Sequence, residues 1–366
     1  MRFDFNEKER KIIEDFSYIL NQIPGDGSFL YNKANLSDII NKLSKTIYFD
    51  TRKIVDEEIN LNSILFKIKS DLCSKNFYLY LIAELGINFI RNILEDQNLS
   101  DYISSIMNSK NIIIPAYVED NMNFHLKEIT TTAILNGDYY IVSGTKKNVL
   151  FLDWANYVLL LAKYEDNLIF FILNKDEVEI KSRENLYGID LLTISEILIK
   201  EKKIPKDRCV GPILNKNFLD NFFYSINRIL ILGSIGLMQK SFEEARVFAK
   251  QHKNGGKPII AYQEVGFKLA EMKTLLDASY LIAAKSMNTE NKKQSYETNL
   301  VAKVFCLESL ENIASSALSI LSTYGFTDKY LSGNILMLSK FFQVNGTSTE
   351  VSRVNLGDLC LGYKKI

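Results

Sequence analysis

Residues 249–272, Ala-Lys-Gln-His-Lys-Asn-Gly-Gly-Lys-Pro-Ile-Ile-Ala-Tyr-Gln-Glu-Val-Gly-Phe-Lys-Leu-Ala-Glu-Met, decide the fold. They sit in a long helical context, between amphipathic stretches around 218–252 and 261–289, with Gly255, Gly256 and Pro258 as the punctuation. Apolar residues keep the helical period in further stretches around 294–323 and 347–362, and 289–297, Thr-Glu-Asn-Lys-Lys-Gln-Ser-Tyr-Glu, reads as an exposed loop between helices.

Working back towards the N-terminus, the period shortens between Asn111 and about Gly211. Strands are predicted at Ile112–Ile114, Thr130–Ile134, Tyr139–Ser143, Tyr157–Ala162, Leu168–Leu173 and Ile194–Lys200, with turns at Asn136-Gly137-Asp138 and Glu165-Asp166-Asn167. From Glu7 to about Ser109 the helical period rules again, as in Ile12, Ile13, Phe16, Ile19 and Leu20. The expected class is α+β: an N-terminal helical domain at 1–109, a middle β-barrel-like domain at 110–211 and a C-terminal four-helix bundle at 212–366.

The chain has 366 residues, 47% of them hydrophobic, enough for a large core. Lys+Arg and Asp+Glu both number 44, so no excess charge points to nucleic acid or an anionic membrane. A charged N-terminus and apolar runs too short to span a bilayer predict a cytoplasmic protein without a membrane segment. Cys73, Cys209, Cys306 and Cys360 lie far apart, as isolated thiols do, and two histidines make no metal site. No P-loop, G-x-G-x-x-G after a strand or G-x-S-x-G is present.

Ala249-Lys250-Gln251, Gly256-Lys257-Pro258-Ile259, Gln263 and Phe267-Lys268-Leu269-Ala270-Glu271-Met272 together resemble the signature of the acyl-CoA dehydrogenase family. Glu119, Thr131, Ala133, Gly137-Asp138-Tyr139-Tyr140 and Gly144-Thr145-Lys146 follow that family's β-domain motifs in order, and Pro205 and Gly211 match its close. The resemblance implies the family's three-domain fold, an acyl-CoA or acyl-carrier-protein thioester as ligand, FAD as cofactor, and assembly as a homodimer or homotetramer, or with an active homologue.

The family's FAD positions correspond here to Val118, Phe124, His125, Leu150, His252, Ser319, Ser322, Thr323 and Ser348. His252 stands where the family places an arginine against the pyrophosphate, a task suited to a permanent cation with several donors. Val118 and Leu150 replace hydroxyls, and Phe124 adds a ring where a serine is usual, so Phe124 and Leu150 are expected to narrow the flavin position. His125 and His252 read as ordinary polar side chains, with a new anion or acid–base site as the sharper alternative.

In the same family a glutamate removes the α-proton of the thioester while flavin takes the β-hydride. Residues 343–353 align with the stretch that carries it and put Gly346 in its place; a subgroup's alternative glutamate corresponds to Asn227, before Arg228. Tyr224 and Arg228 take substrate positions by the same resemblance, Glu350 and Arg353 read as a helix-stabilising pair, and Glu119 as a local cap or partner. The expectation is a family member without FAD, inactive as a dehydrogenase and serving as partner subunit or in a non-redox role. The alternatives are an FAD-dependent acyl-CoA or acyl-carrier-protein dehydrogenase or oxidase with rewired contacts, and a flavin monooxygenase of the same fold.

Overall fold

The computed structural model describes residues 4–23, 33–44, 46, 48, 60–94, 100–108, 111–120, 128–186, 189–213, 218–287 and 292–363. The chain divides into two compact units, one of Met1–Phe29, Lys42–Tyr80 and Phe223–Ile366, the other of Leu30–Asn41 and Leu81–Phe222.

The second unit is built on an eight-stranded sheet: β1 (Ile113–Ala116), β2 (Thr132–Asn136), β3 (Tyr139–Leu150), β4 (Tyr157–Tyr164), β5 (Asn167–Asn174), β6 (Glu179–Leu186), β7 (Ile189–Pro205) and β8 (Cys209–Ile213). Its order is β6-β7-β3-β2-β4-β5-β8, with β1 added parallel to β4. Val158–Ala162 and Ile169–Leu173 are buried without interruption, so β4 and β5 read as apolar runs, whereas β6 is an exposed charged edge. The carboxylate of Glu119 sits beside this sheet and accepts from Lys146 Nζ at 2.5 Å and from the N–H and hydroxyl groups of Thr130 and Thr131. Gly144 lies so close to Thr131 that a Cβ would fall 2.4 Å from its Oγ1.

In the first unit α1 (Glu7–Asn21) and α3 (Leu61–Lys75) join the C-terminal helices α7 (Phe218–Gln251), α8 (Gln263–Met287), α9 (Lys292–Leu321), α10 (Ser332–Val344) and α11 (Thr349–Cys360). The remaining helices are α2 (Lys33–Leu43), α4 (Phe77–Ala83), α5 (Phe89–Leu94) and α6 (Asp101–Asn108), with a π-turn at Glu84–Asn88 between α4 and α5. Helix α3 presses onto α7 at Gly236, where a Cβ would lie 2.5 Å from the Ser70 carbonyl oxygen. Tyr80 donates from its hydroxyl to the Ile229 carbonyl at 2.7 Å.

Three expectations are corrected. Helix α9 starts at Lys292, inside the stretch read as a loop, and α10, β6 and β8 form where no element was predicted. The helices Asn221–Gln251 and Ser295–Phe326 are long and apolar enough to cross a bilayer by length and composition, which the short runs in the sequence did not suggest; 78% and 56% of an apolar 18-residue window in each are buried in the chain itself.

Candidate functional site

The polar centre of the first unit lies between α7, α9 and the turn that joins α10 to α11. Asn227 on α7, Asn299 and Lys303 on α9, and Gly346 in the turn are all buried. Along α9 the buried positions Asn299, Lys303, Cys306 and Leu310 form a helical stripe, so the lysine points inward with the core side chains.

Lys303 Nζ donates to Asn227 Oδ1 at 2.7 Å, to the Asn345 carbonyl at 2.8 Å and to the Thr347 carbonyl. Three acceptors match the three N–H bonds of an ammonium. Burial pulls its pKa down to about 7, opposed by the charge of Glu350. Gly346 has φ +69°, and a Cβ there would lie 2.9 Å from Asn227 Oδ1, 3.1 Å from Ile226 Cγ2 and 3.3 Å from Lys303 Nζ. The structure therefore brings together the two positions that correspond to the family's alternative carboxylates and places a cation between them.

Sequence reading missed Lys303 and Asn299. The available signal was a lysine on the apolar stripe of an amphipathic helix, where a charge is costly unless it is fully hydrogen-bonded.

One turn back along α7, the Tyr224 hydroxyl lies 2.6 Å from Ser295 Oγ and donates to the Ser286 carbonyl at 3.3 Å. The Arg228 guanidinium lies 5.6 Å from the Tyr224 ring centre and its Nε points at Met287 Sδ, 2.9 Å away. Both side chains are half-buried. A polar seam thus runs between α7 and α9 from Tyr224 and Ser295 to Asn227, Asn299 and Lys303.

The positions that correspond to FAD contacts are scattered in role. Phe124 and His125 lie outside the described residues. Val118 and Leu150 are apolar and half-buried, Leu150 at the end of β3 opposite Ile194. In the first unit the His252 ring stacks on Phe248 at 4.7 Å and lies 5.6 Å from Tyr324. Ser319 Oγ donates back to the Ser315 carbonyl, and Ser348 Oγ caps α11 by accepting from Val351 N. Ser322, at φ +53°, and Thr323 are exposed. Arg353 pairs with Glu308 of α9, not with Glu350 as its main partner. Among the described residues no group of three His, Cys, Asp or Glu could hold a metal.

A profile described as acyl-CoA dehydrogenase, C-terminal domain, matches residues 223–359. Subunit CarC of the caffeyl-CoA reductase-Etf complex of Acetobacterium woodii is 24% identical over 73% of both chains. The 3-(aryl)acrylate reductase of Clostridium sporogenes is 28% identical over 64% of this chain, and the match spans 65% of that protein, just under two thirds of its length. The structure of butyryl-CoA dehydrogenase from Megasphaera elsdenii superimposes with a TM-score of 0.84 at 16% identity, covering 99% of this chain and all of that one. Residues 223–359 match the acyl-CoA dehydrogenase C-terminal domain, and the chain has the acyl-CoA dehydrogenase fold.

Proposed function

We propose that this protein handles acyl thioesters without flavin-linked α,β-dehydrogenation, as a binding partner subunit or in a non-redox role. One observation carries the reading: the two positions from which a carboxylate base would act meet, as Gly346 and Asn227, around the Lys303 ammonium. Neither Gly346 nor Asn227 carries a group that can take the α-proton, and Lys303 in its charged form, with three N–H bonds directed at oxygens, has no lone pair for it. Removing a positioned base forfeits roughly 10²–10⁴ in rate.

The flavin side supports the same reading. Buried phosphates and a flavin edge need donors held ready for them. Here Val118 and Leu150 offer none from their side chains, Ser319 spends its donor within its own helix, Ser348 Oγ is engaged as the cap of α11, and the His252 ring is stacked on Phe248. These residues do not fit FAD held in the family's manner.

A second reading, a flavin-dependent reductase with rewired cofactor contacts, is favoured by the names of the two relatives. Reduction of an α,β-unsaturated thioester delivers a proton to the α-carbon, so it does not call for a base at Gly346 or Asn227.

The deciding measurement is the absorbance spectrum of purified protein, before and after incubation with excess FAD and desalting. It is followed by assays of acyl-CoA oxidation with an artificial acceptor and of enoyl-CoA reduction with a chemical reductant. A colourless protein without turnover in either direction is expected. Retained flavin with enoyl reduction would replace the first reading by the second, and oxidation of acyl-CoA would overturn both.

A further inference from the structure

Asn299 Nδ2 is buried and has no hydrogen-bond partner among the described residues. Its orientation is not free. Lys303 donates to Asn227 Oδ1, which turns the Asn227 amide so that its Nδ2 faces Asn299. That Nδ2 donates to Asn299 Oδ1 at 3.4 Å and to Thr347 Oγ1 at 3.2 Å. Flipping Asn299 would set two NH₂ groups against each other, and flipping Asn227 would set one against an ammonium. The lysine therefore fixes both amides in series and leaves one donor without an acceptor at the end of the row. Ser63, Ser241 and Ser279 also bury a hydroxyl without a partner among the described residues, but Asn299 Nδ2 is the one such group tied into the Lys303 centre, and a buried donor calls for an acceptor.

The occupant must be an acceptor, because the unpaired group is an amide N–H and the nearby oxygens, Asn227 Oδ1 and the Asn345 and Thr347 carbonyls, already accept from Lys303. Among the charged side chains on α7, α9 and α11, Arg228 is directed to Met287 and Tyr224, Glu308 pairs with Arg353, and Glu350 is exposed. None of these brings a carboxylate to Asn299. Ser295 lies one helical turn before Asn299 on α9, and it meets Tyr224 at the half-buried end of the seam.

We propose that Asn299 Nδ2 is the binding donor for the carbonyl oxygen of an acyl thioester, with Asn227 and Lys303 as the positioning residues that orient and polarise it. This rests on the thioester reading above and assigns it a recognition group. A row that begins at a cation strengthens the terminal donor, since each hydrogen bond polarises the next. The centre would thus grip the carbonyl by donation, where the family's carboxylates remove a proton.

The test compares butyryl-CoA with its butyl thioether, which lacks only the carbonyl oxygen, by calorimetry on the full chain. The native protein is expected to prefer the thioester about five- to tenfold, the worth of one hydrogen bond. Asn299→Leu should erase that preference, and Asn299→Asp, which presents an acceptor, should reverse it. Infrared spectra with ¹³C-labelled thioester should show the carbonyl stretch lowered on binding to the native protein and not to Asn299→Leu. Binding of neither ligand by the native protein would sink the thioester reading and this inference with it. Equal binding of both, or a preference that survives Asn299→Leu, would overturn the inference alone and leave Asn299 satisfied by an internal water.

Discussion

Gly346 and Asn227 lie more than a hundred residues apart in sequence, yet their side-chain positions meet. Motif spacing was enough to single both out, because each follows a recognisable run of neighbours. Their meaning was not legible, since it depends on Lys303, whose inward direction is decided by packing along α9. The same packing bears on what a restored carboxylate could do. A glutamate at 346 would need φ +69° and would crowd Asn227, a cost of roughly 1–3 kcal/mol from the backbone alone; at 227 a carboxylate would pair with the ammonium. Neither single change recreates a free base. Glu119 shows the opposite balance, with its role as a local partner readable from sequence. Burial raises its pKa, but the charge of Lys146 and hydrogen bonds from Lys146, Thr130 and Thr131 outweigh this and hold it down to about 2, against 4.5 unfolded. A carboxyl depressed by folding contributes stability that is complete above 4.5 and is lost as pH falls from there through 2. Acid unfolding followed by circular dichroism should therefore show a loss of about 3 kcal/mol across that window. Glu119→Gln should be less stable at pH 7 and should lack most of that limb; an unchanged acid profile would mean the Lys146 pair contributes nothing.

Helices with their own local signals were legible as elements, and those that depend on a distant partner were not. Helix α1 carries an Asn6–Glu9 capping box, and α11 starts at Ser348, which accepts from Val351 N. Helix α10 has no side-chain cap within its own sequence: its first N–H groups are satisfied by Glu244 of α7, whose carboxylate accepts from Leu331 N and Ser332 N at 3.1 Å and from Ser332 Oγ at 2.8 Å. Strand β6 escaped for a related reason, since an edge strand of alternating charge has no apolar period and is held in register only by β7. The start of α9 was obscured because Lys292, Lys293, Gln294 and Ser295 are polar, although all are compatible with helix. Glu244→Ala should cost about 1–2 kcal/mol, in line with a lost helix cap, and should raise amide exchange over 332–344 while leaving α11 unaffected. Exchange that rises equally across α7, α10 and α11 would show that Glu244 serves general packing and not the cap.

At the scale of the molecule, the change of period from helix to strand and back conveyed the class, because each kind of element buries a large and regular apolar surface. What covers that surface from outside was expected only through the family resemblance, as further copies of the chain, and α11 makes the question concrete. A lone twelve-residue helix is marginal in water. Within this chain α11 buries fully only Thr349 and Ser352, and leaves Val351, Val354 and the following Leu361 exposed, the last two at 65% and 66%. Val344, at the end of α10, adds an apolar side chain at 67%. Within the chain α11 packs on α9, where Arg353 pairs with Glu308, and we expect a second copy of the chain to cover its outer face, since isologous pairing lets one apolar stripe cover itself. Light scattering on the eluted protein at micromolar concentration should then give a mass of at least twice 42.0 kDa. Val354→Glu with Leu361→Glu, both on the exposed stripe, should shift that mass to one chain and raise exchange over 349–360 without disturbing the sheet. A native protein that runs as a single chain, with α11 still protected from exchange, would show that the helix is held from within and that the stripe has no partner.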